Sequence, residues 1–301
     1  TAKFKDEANY IRIYTPGNDY IRIHSNEYNN VFNIRPKVLL RKKTLFNNVL
    51  SRFSDRFAYR IKQKNTLNDF SENLNPFEHG ISDTNVINYN STLRNTFSFN
   101  RTSPKFSVDY IFQKNNSKIQ LMNGSDIKSR SYSSIRFRWN VFKSIILINN
   151  LEQAKKKYES EFFPTKNYNI HSFINDFTLE YQPGLRFDID FKFKYADKEN
   201  VFSTENADIY NLGAVFKFNS LKKGNILCKA NFIKIEYNAL ANTSLAYEML
   251  EGLKPGKNST WEIVFQHRIS SVFDISILYS GRAPANSSII HTGSVQIRAG
   301  F

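Results

Sequence analysis

The chain is patterned with a period of two. Leu185, Phe187, Ile189, Phe191, Phe193 and Tyr195 alternate with Arg186, Asp188, Asp190, Lys192 and Lys194, so an extended backbone carries one apolar and one charged face. The alternation recurs in Phe53, Phe57, Tyr59 and Ile61 against Arg56, Arg60 and Lys62, and in Phe106, Val108, Tyr110 and Phe112 against Ser107, Asp109 and Gln113. Ile135, Phe137, Trp139 and Val141 stand against Arg136, Arg138 and Asn140. Further on come Trp261, Ile263, Phe265, His267 and Ile269 against Glu262, Gln266 and Arg268, then Phe273, Ile275, Ile277 and Tyr279. The pattern predicts an all-β chain.

Strand length separates two architectures. Strands of soluble sandwiches average ~5 to 6 residues, whereas these runs last about ten to fourteen, near the ~9 to 11 that cross a tilted bilayer path. In a membrane barrel the apolar side meets lipid and the charged side faces the lumen, which allows Asp188, Asp190, Lys192 and Lys194 to share one strand. Tyr181, Tyr195, Trp261 and Tyr279 would then sit at headgroup level. The expected fold is a closed antiparallel transmembrane β-barrel with long loops at one rim and short turns at the other.

Connections support that expectation. Short turns are predicted at Ser103-Pro104, Phe142-Lys143, Pro183-Gly184, Leu221 to Gly224 and Ser270-Ser271. Long polar loops are predicted over 65–90, 115–130, 153–169, 197–205 and 238–258, rich in Asn, Ser, Thr and Lys. Residues Glu152 to Phe163 suggest a short helix within one of them. Five hairpins, strands near 19–25, 31–41 and 51–64, and a last strand at 288–301 make about fourteen, or twelve if the first two stay outside the membrane; an even count lets the end strands pair. The alternation slips between Cys228, Ala230, Phe232 and Ile233, Ile235, Tyr237, which predicts a bulge. Asn9-Tyr10-Ile11-Arg12-Ile13 is echoed by Asp19-Tyr20-Ile21-Arg22-Ile23, a Pro16-Gly17 hairpin or the last rung of an upstream repeat. Residues 1–30 are read as an N-terminal hairpin or linker reaching into the first strand, and 31–301 as the barrel. The start at Thr1 carries no initiator Met or leader, which reads as a mature chain or part of a larger product.

Composition narrows the classes. At 41% hydrophobic and 15% aromatic the 301-residue chain has apolar surface enough to fold, yet its longest aliphatic run is Ile145 to Ile148, far short of a spanning helix. A single cysteine, Cys228, excludes an internal disulfide and a Cys-cluster zinc site. The net charge of +15 would suit nucleic acid, but the cations alternate singly with apolar residues rather than clustering, so no nucleic-acid partner is expected.

The carboxyl terminus carries a resemblance. Ser294-Val295-Gln296-Ile297-Arg298-Ala299-Gly300-Phe301 puts Val295, Ile297, Ala299 and Phe301 on one face and ends on an aromatic residue. It resembles the terminal-strand insertion signal of Gram-negative outer-membrane barrels, departing from it in the small Ala299 and in Gln296 where a glycine is common. With Glu251-Gly252-Leu253-Lys254-Pro255-Gly256-Lys257-Asn258, Tyr279-Ser280-Gly281-Arg282 and His291-Thr292-Gly293, the last fifty or so residues look like the carboxyl-terminal barrel of large outer-membrane proteins of the Bacteroidota. The resemblance implies an outer-membrane location, insertion by the barrel-assembly machinery and no residue-level function.

Chemistry is sparse. His24, His79, His171, His267 and His291 show no ligand spacing, and Glu78-His79, Asp83 and Glu159 are the only suggestive loop residues. No catalytic residue, metal or cofactor is expected. The leading expectation is a membrane anchor or scaffold component of an envelope complex. The alternative is an anion-preferring channel or transporter lined by Arg56, Arg60, Lys62, Arg136, Arg138, Asp188, Asp190, Lys192 and Lys194, and a surface enzyme stands third. Against an open channel, inward cations would pair with Asp188, Asp190, Glu262 and Asp274. Expected partners are outer-membrane lipid, lipopolysaccharide and other envelope proteins.

Overall fold

A computed structural model describes residues 22–39, 44–66, 80–81, 83–220, 224–270 and 272–299. They form one antiparallel sheet of thirteen strands in sequence order. The first seven are β1 (His24–Ile34), β2 (Phe53–Asn65), β3 (Val86–Phe99), β4 (Phe106–Leu121), β5 (Gly124–Phe142), β6 (Ile145–Ser160) and β7 (Tyr168–Tyr181). The remainder are β8 (Phe187–Asn200), β9 (Asn206–Ser220), β10 (Gly224–Tyr237), β11 (Gly256–Arg268), β12 (Phe273–Ala283) and β13 (Ile290–Ala299). Among the described residues β1 and β13 are not paired with each other. Among the described residues helix is confined to Pro36–Leu39, Leu45–Leu50, Ser244–Met249 and one 3-10 turn, Pro164–Lys166.

Several expectations change. Thirteen strands are described rather than fourteen, because the runs near 19–25 and 31–41 resolve into one strand, β1, and Pro36, which has no N–H to give a ladder, opens a helical turn. The polar stretches 115–130 and 153–169 are mostly strand, whereas 197–205 is strand only as far as Asn200 and a loop from 201 to 205: β4 and β5 stay paired from Phe106↔Trp139 to Leu121↔Gly124. Residues Glu152 to Ser160 continue β6 instead of forming a helix. No bulge interrupts β10, whose register against β9 is continuous from Gly224 to Tyr237; register shifts fall instead at Lys64/Asn65 and Asn140/Phe142. The short turns at Ser103-Pro104, Phe142-Lys143 and Pro183-Gly184 fall between strands as expected, while residues 221–223 and 271 of the other two lie outside the described residues; the loop expected over 238–258 ends at 255, where β11 begins at Gly256. Residues 1–21, with the Pro16-Gly17 turn and the first Tyr-Ile-Arg-Ile unit, lie outside the described residues.

Directly opposed residues in a ladder share a face, so register carries face identity from strand to strand. Asp190 opposes Glu180 and Val215, Val215 opposes Lys229, and Lys229 opposes Glu262. In the other direction Glu180 opposes Ile146, Ile146 opposes Asn140, and the row leads to Arg136↔Asp109, Asp109↔Ser98 and Ser98↔Ser54. One polar face therefore runs from β1 to β13.

The opposite face changes character along β4 to β10. Near the connections 35–52, 100–105, 143–144, 182–186, 221–223 and 269–272, here the turn end, it is apolar: Phe187, Ile189, Phe191, Phe193 on β8 oppose Phe218, Phe216, Ala214, Leu212 on β9. These side chains are uncovered, with Phe191 56% and Leu212 57% exposed. Toward the loop end the same face turns polar, through Lys114 and Asn116, Ser131 and Ser129, Lys155 and Lys157, Asp197 and Glu199. There apolar residues cross to the polar face: Ile170, Ala196, Ile209, Ile233 and Ile235 form a core with Tyr168 and Ala207. The slip in β10 is this exchange, with Phe232 on one face and Ile233 on the other of an unbroken strand.

That core is closed by the β10–β11 loop. Thr243 caps its helix, its hydroxyl accepting from the Ala246 N–H at 3.0 Å. Ala246, Met249 and Leu250, spaced i, i+3, i+4, face inward and are 0%, 0% and 1% exposed. The helix ends at Glu251 and Gly252, both with positive φ (56° and 76°).

Candidate functional site

The polar face gathers all nine charges expected to line a lumen. Register places Arg56, Arg60 and Lys62 on β2, Arg136 and Arg138 on β5, and Asp188, Asp190, Lys192 and Lys194 on β8 on that one face. Val295, Ile297 and Ala299 lie on the other, opposed to Ile277, Ile275 and Phe273, with Ile297 66% exposed. Phe301 lies outside the described residues.

Four of the face's carboxylates are engaged along the ladder by cations outside that set. Lys217 Nζ lies 2.9 Å from Asp188 and 3.1 Å from Asp190, Lys229 lies 2.8 Å from Glu262, and Arg268 donates to Asp274 at 3.2 Å. Each pair joins adjacent strands along the polar face. The pairs to Asp188, Glu262 and Asp274 are partly hydrated and contribute little, ~0.2 to 1 kcal/mol each; Asp190 is buried. Of the nine, Arg60 and Lys62 meet Glu27 on β1 at 2.5 and 3.7 Å. Arg56, Arg136, Arg138 and Lys192 have no ion-pair partner within 4.0 Å among the described residues. Arg136 and Lys192 share a concavity of about 400 Å³ with Tyr132, Ser134, Glu152 and Glu180.

Above it sits a latch of charges. Lys194 and Lys198 on β8 reach Glu251 of the loop at 3.0 and 2.9 Å, Lys198 also donates to the Met249 carbonyl at 2.9 Å, and Lys156 on β6 pairs with Glu248. Burial alone would raise the Glu251 carboxyl, but the two ammonium groups outweigh it and hold the carboxyl below its ordinary range. Glu251 keeps a left-handed backbone, where a Cβ costs roughly 1 kcal/mol and glycine is usual; its carboxylate is what a glycine would lack. The loop's far side is fixed by Asn258, 1% exposed, which donates to the Lys254 carbonyl at 2.8 Å and accepts from the Ala285 N–H at 3.1 Å.

Of the residues quoted for the resemblance, Tyr279, Gly281, His291 and Gly293 lie on the apolar-belt face and Ser280, Arg282 and Thr292 on the polar one. Trp261 on β11 lies opposite Gly281 on β12, which lies opposite His291 on β13. A Cβ on Gly281 would stand 2.3 Å from the Trp261 ring, so the glycine makes room for the indole. His291 hydrogen-bonds Tyr279 Oη through Nδ1 at 2.9 Å.

The catalytic suggestions do not assemble. Glu78 and His79 lie outside the described residues; Asp83 accepts from the Asn85 N–H at 2.9 Å and Glu159 pairs with Lys157 at 2.7 Å. The described histidines each stand on the belt side, His267 stacked on Phe265 and His171 3.9 Å from Glu199. Among the described residues no three His, Cys, Asp or Glu could hold a metal ion. Lys198, Glu248 and Glu251 were not anticipated from sequence; the Lys198 and Glu251 positions are far apart in the chain, and only the inward phase of Ile233 and Ile235 hints that something covers them.

No family model matches the chain, and no curated protein matches it.

Proposed function

We propose that this sheet closes into a transmembrane β-barrel of a bacterial outer membrane, which anchors or scaffolds an envelope assembly. The observation that carries it is the exposed apolar belt, kept in phase across neighbouring strands and confined to their turn-end halves. On β8 it runs from Phe187 to Tyr195, about nine residues or ~30 Å of strand; tilted by ~40°, that covers ~23 Å, close to the ~25 Å lipid-facing band of such barrels. β5, with 19 residues, is long enough to leave the bilayer and continue in water, where the alternation inverts. Thirteen strands leave β1 and β13 running parallel, so antiparallel closure takes one further strand and restores the expected fourteen. Lipopolysaccharide phosphates would meet Lys114, Lys155 and Lys157, which face outward just beyond the belt.

The anchor reading is favoured over transport by the cap, whose buried Met249 and Leu250 and ion pairs occupy the loop end over β6 to β10. A specific observation favours the channel reading: on β2, β3 and β5 the polar face holds Arg56, Arg60, Lys62, Arg94, Arg136 and Arg138, a surplus of cations that would attract anions. Heat-modifiability on a gel with single-channel recording separates the readings. A heat-shifted band without conductance is expected. Steady anion-selective conductance would replace the anchor with a channel, and full solubility in plain buffer with no shift would end the barrel reading.

A further inference from the structure

The connections at the two ends of the sheet differ in charge. Those at the turn end, 35–52, 100–105, 143–144, 182–186, 221–223 and 269–272, hold Lys and Arg and not one Asp or Glu. Those at the loop end reverse this: Asp83, Glu161, Glu205, Glu248 and Glu251 are among their carboxylates, and Lys166 and Lys254 are their lysines. A chain of net charge +15 scattering its charges at random would not sort them by strand end. The described turn-end cations Arg35, Lys37, Arg52, Arg101, Lys105, Lys143 and Arg186 are all exposed.

The same end bears apolar side chains where turns are ordinarily polar. Leu185 is 82%, Phe142 67% and Ile269 61% exposed. Between β1 and β2, the helix Leu45–Leu50 is capped by Thr44, whose hydroxyl accepts from the Asn47 N–H at 3.2 Å, and it leaves Leu45 88% and Phe46 72% exposed. Val49, one turn beyond Leu45, adds to that face at 52%. The helix joins strands that begin the belt, Ile34 ending β1 and Phe53 starting β2, so its apolar face continues the lipid-facing surface. Apolar side chains at the edge of a hydrocarbon band, ringed by cations alone, match a layer of anionic headgroups over acyl chains.

We infer that the turn end is a docking surface for an anionic phospholipid leaflet, whose phosphates are held by Lys37, Arg52, Lys143 and Arg186 while Leu45, Phe46 and Val49 enter the acyl boundary. The inference rests on the barrel reading. Charge complementarity selects this occupant over zwitterionic lipid, since roughly 1 kcal/mol per basic residue near an anionic surface is about a fivefold preference each.

The test uses the whole protein in vesicles of phosphatidylcholine, alone or mixed with phosphatidylglycerol, and measures by mass spectrometry the phosphatidylglycerol retained on exchange into neutral detergent at low and high salt. Retention well above the vesicle proportion is expected, falling with salt. The fourfold variant Lys37→Glu, Arg52→Glu, Lys143→Glu, Arg186→Glu should lose at least about fivefold, a gentler set of Lys/Arg→Gln changes should lose part of that, and Lys166→Glu with Lys254→Glu should lose nothing. A heat-shifted protein that retains both lipids alike overturns the lipid surface and leaves the barrel standing. Absence of a heat shift in either vesicle overturns the barrel reading itself. A wild type indifferent to lipid charge that binds polyglutamate through the same four residues assigns the surface to an acidic protein and overturns the inference too.

Discussion

Replacing Met249 by alanine tests whether the β10–β11 loop is a packed cap or a loosely resting loop. Met249 is 0% exposed among Ala246, Leu250, Ile209 and Ile235, so truncation removes buried methylenes and leaves a void that the flanking β-branched side chains cannot fill without moving. Such losses run from ~2 to 5 kcal/mol. Of the ion pairs beside it, those of Lys194 and Lys156 are partly exposed, contribute ~1 kcal/mol or less apiece and cannot replace the loss. The cap is a local unit, so the cost should appear as local opening. Even ~2 kcal/mol multiplies the open population about thirtyfold. Hydrogen exchange in detergent reads it directly: the Leu250 N–H, bonded to Ala246 O at 2.8 Å, and the Gly252 N–H, bonded to Tyr247 O at 2.9 Å, should exchange about thirtyfold faster, while amides of β2 to β4 keep their rates. Unchanged exchange at 244–253 would mean the cap is not held by its core. Equal acceleration across the sheet would mean the cap and strands open together.

Other outcomes follow from the same geometry. The lowered Glu251 carboxyl contributes stability that is complete above its unfolded value, ~4.3, and is lost as pH falls through the lower folded value; cap exchange should therefore quicken below about pH 4 in the wild type and show no such step in Glu251→Gln. Gly281→Val drives a side chain into the Trp261 ring and should lower the denaturant midpoint by the equivalent of ~1 to 3 kcal/mol, with Trp261→Ala in the same chain restoring most of it; a merely additive double variant would show that the two do not touch. Phe191→Arg, at mid-belt, should cost ~2 to 4 kcal/mol in folding titrations from lipid vesicles, and Ser131→Arg, on the same face beyond the belt, should be nearly silent. Equal costs at the two sites would remove the belt as a lipid boundary.

The part of the fold legible in the sequence is the part that stands in a single environment. From Phe187 to Tyr195 one face of β8 is apolar and the other charged, so period two names strand, face and phase together. Beyond Tyr195 the rule fails because the two faces exchange character: Asp197 and Glu199 take positions on the face that was apolar, and Ala196, on the charged face, is 0% exposed. A reading that requires constant phase turns this exchange into a bulge in β10, and turns the stretches 115–130 and 153–169, polar on both faces, into loops. Backbone pairing decides otherwise, since Arg130↔Lys156 and Lys128↔Tyr158 hold register whatever side chains they carry.

The latch escaped the sequence for a different reason. Lys156 and Glu248 are separated by 92 residues, and Lys198 and Glu251 by 53; neither pair has a spacing that any local period marks. Yet the two failures have one cause. In the proposed barrel a strand longer than the bilayer exchanges its faces on entering water, and the apolar residues that take the polar face there, Ile170, Ile209, Ile233 and Ile235, need a cover. The nearest chain to supply it is the loop leaving β10, whose Ala246, Met249 and Leu250 have helical spacing and whose two glutamates meet the lysines of β6 and β8. Inverted phase in a long strand therefore predicts both an extended ladder and an inward-folded loop beside it.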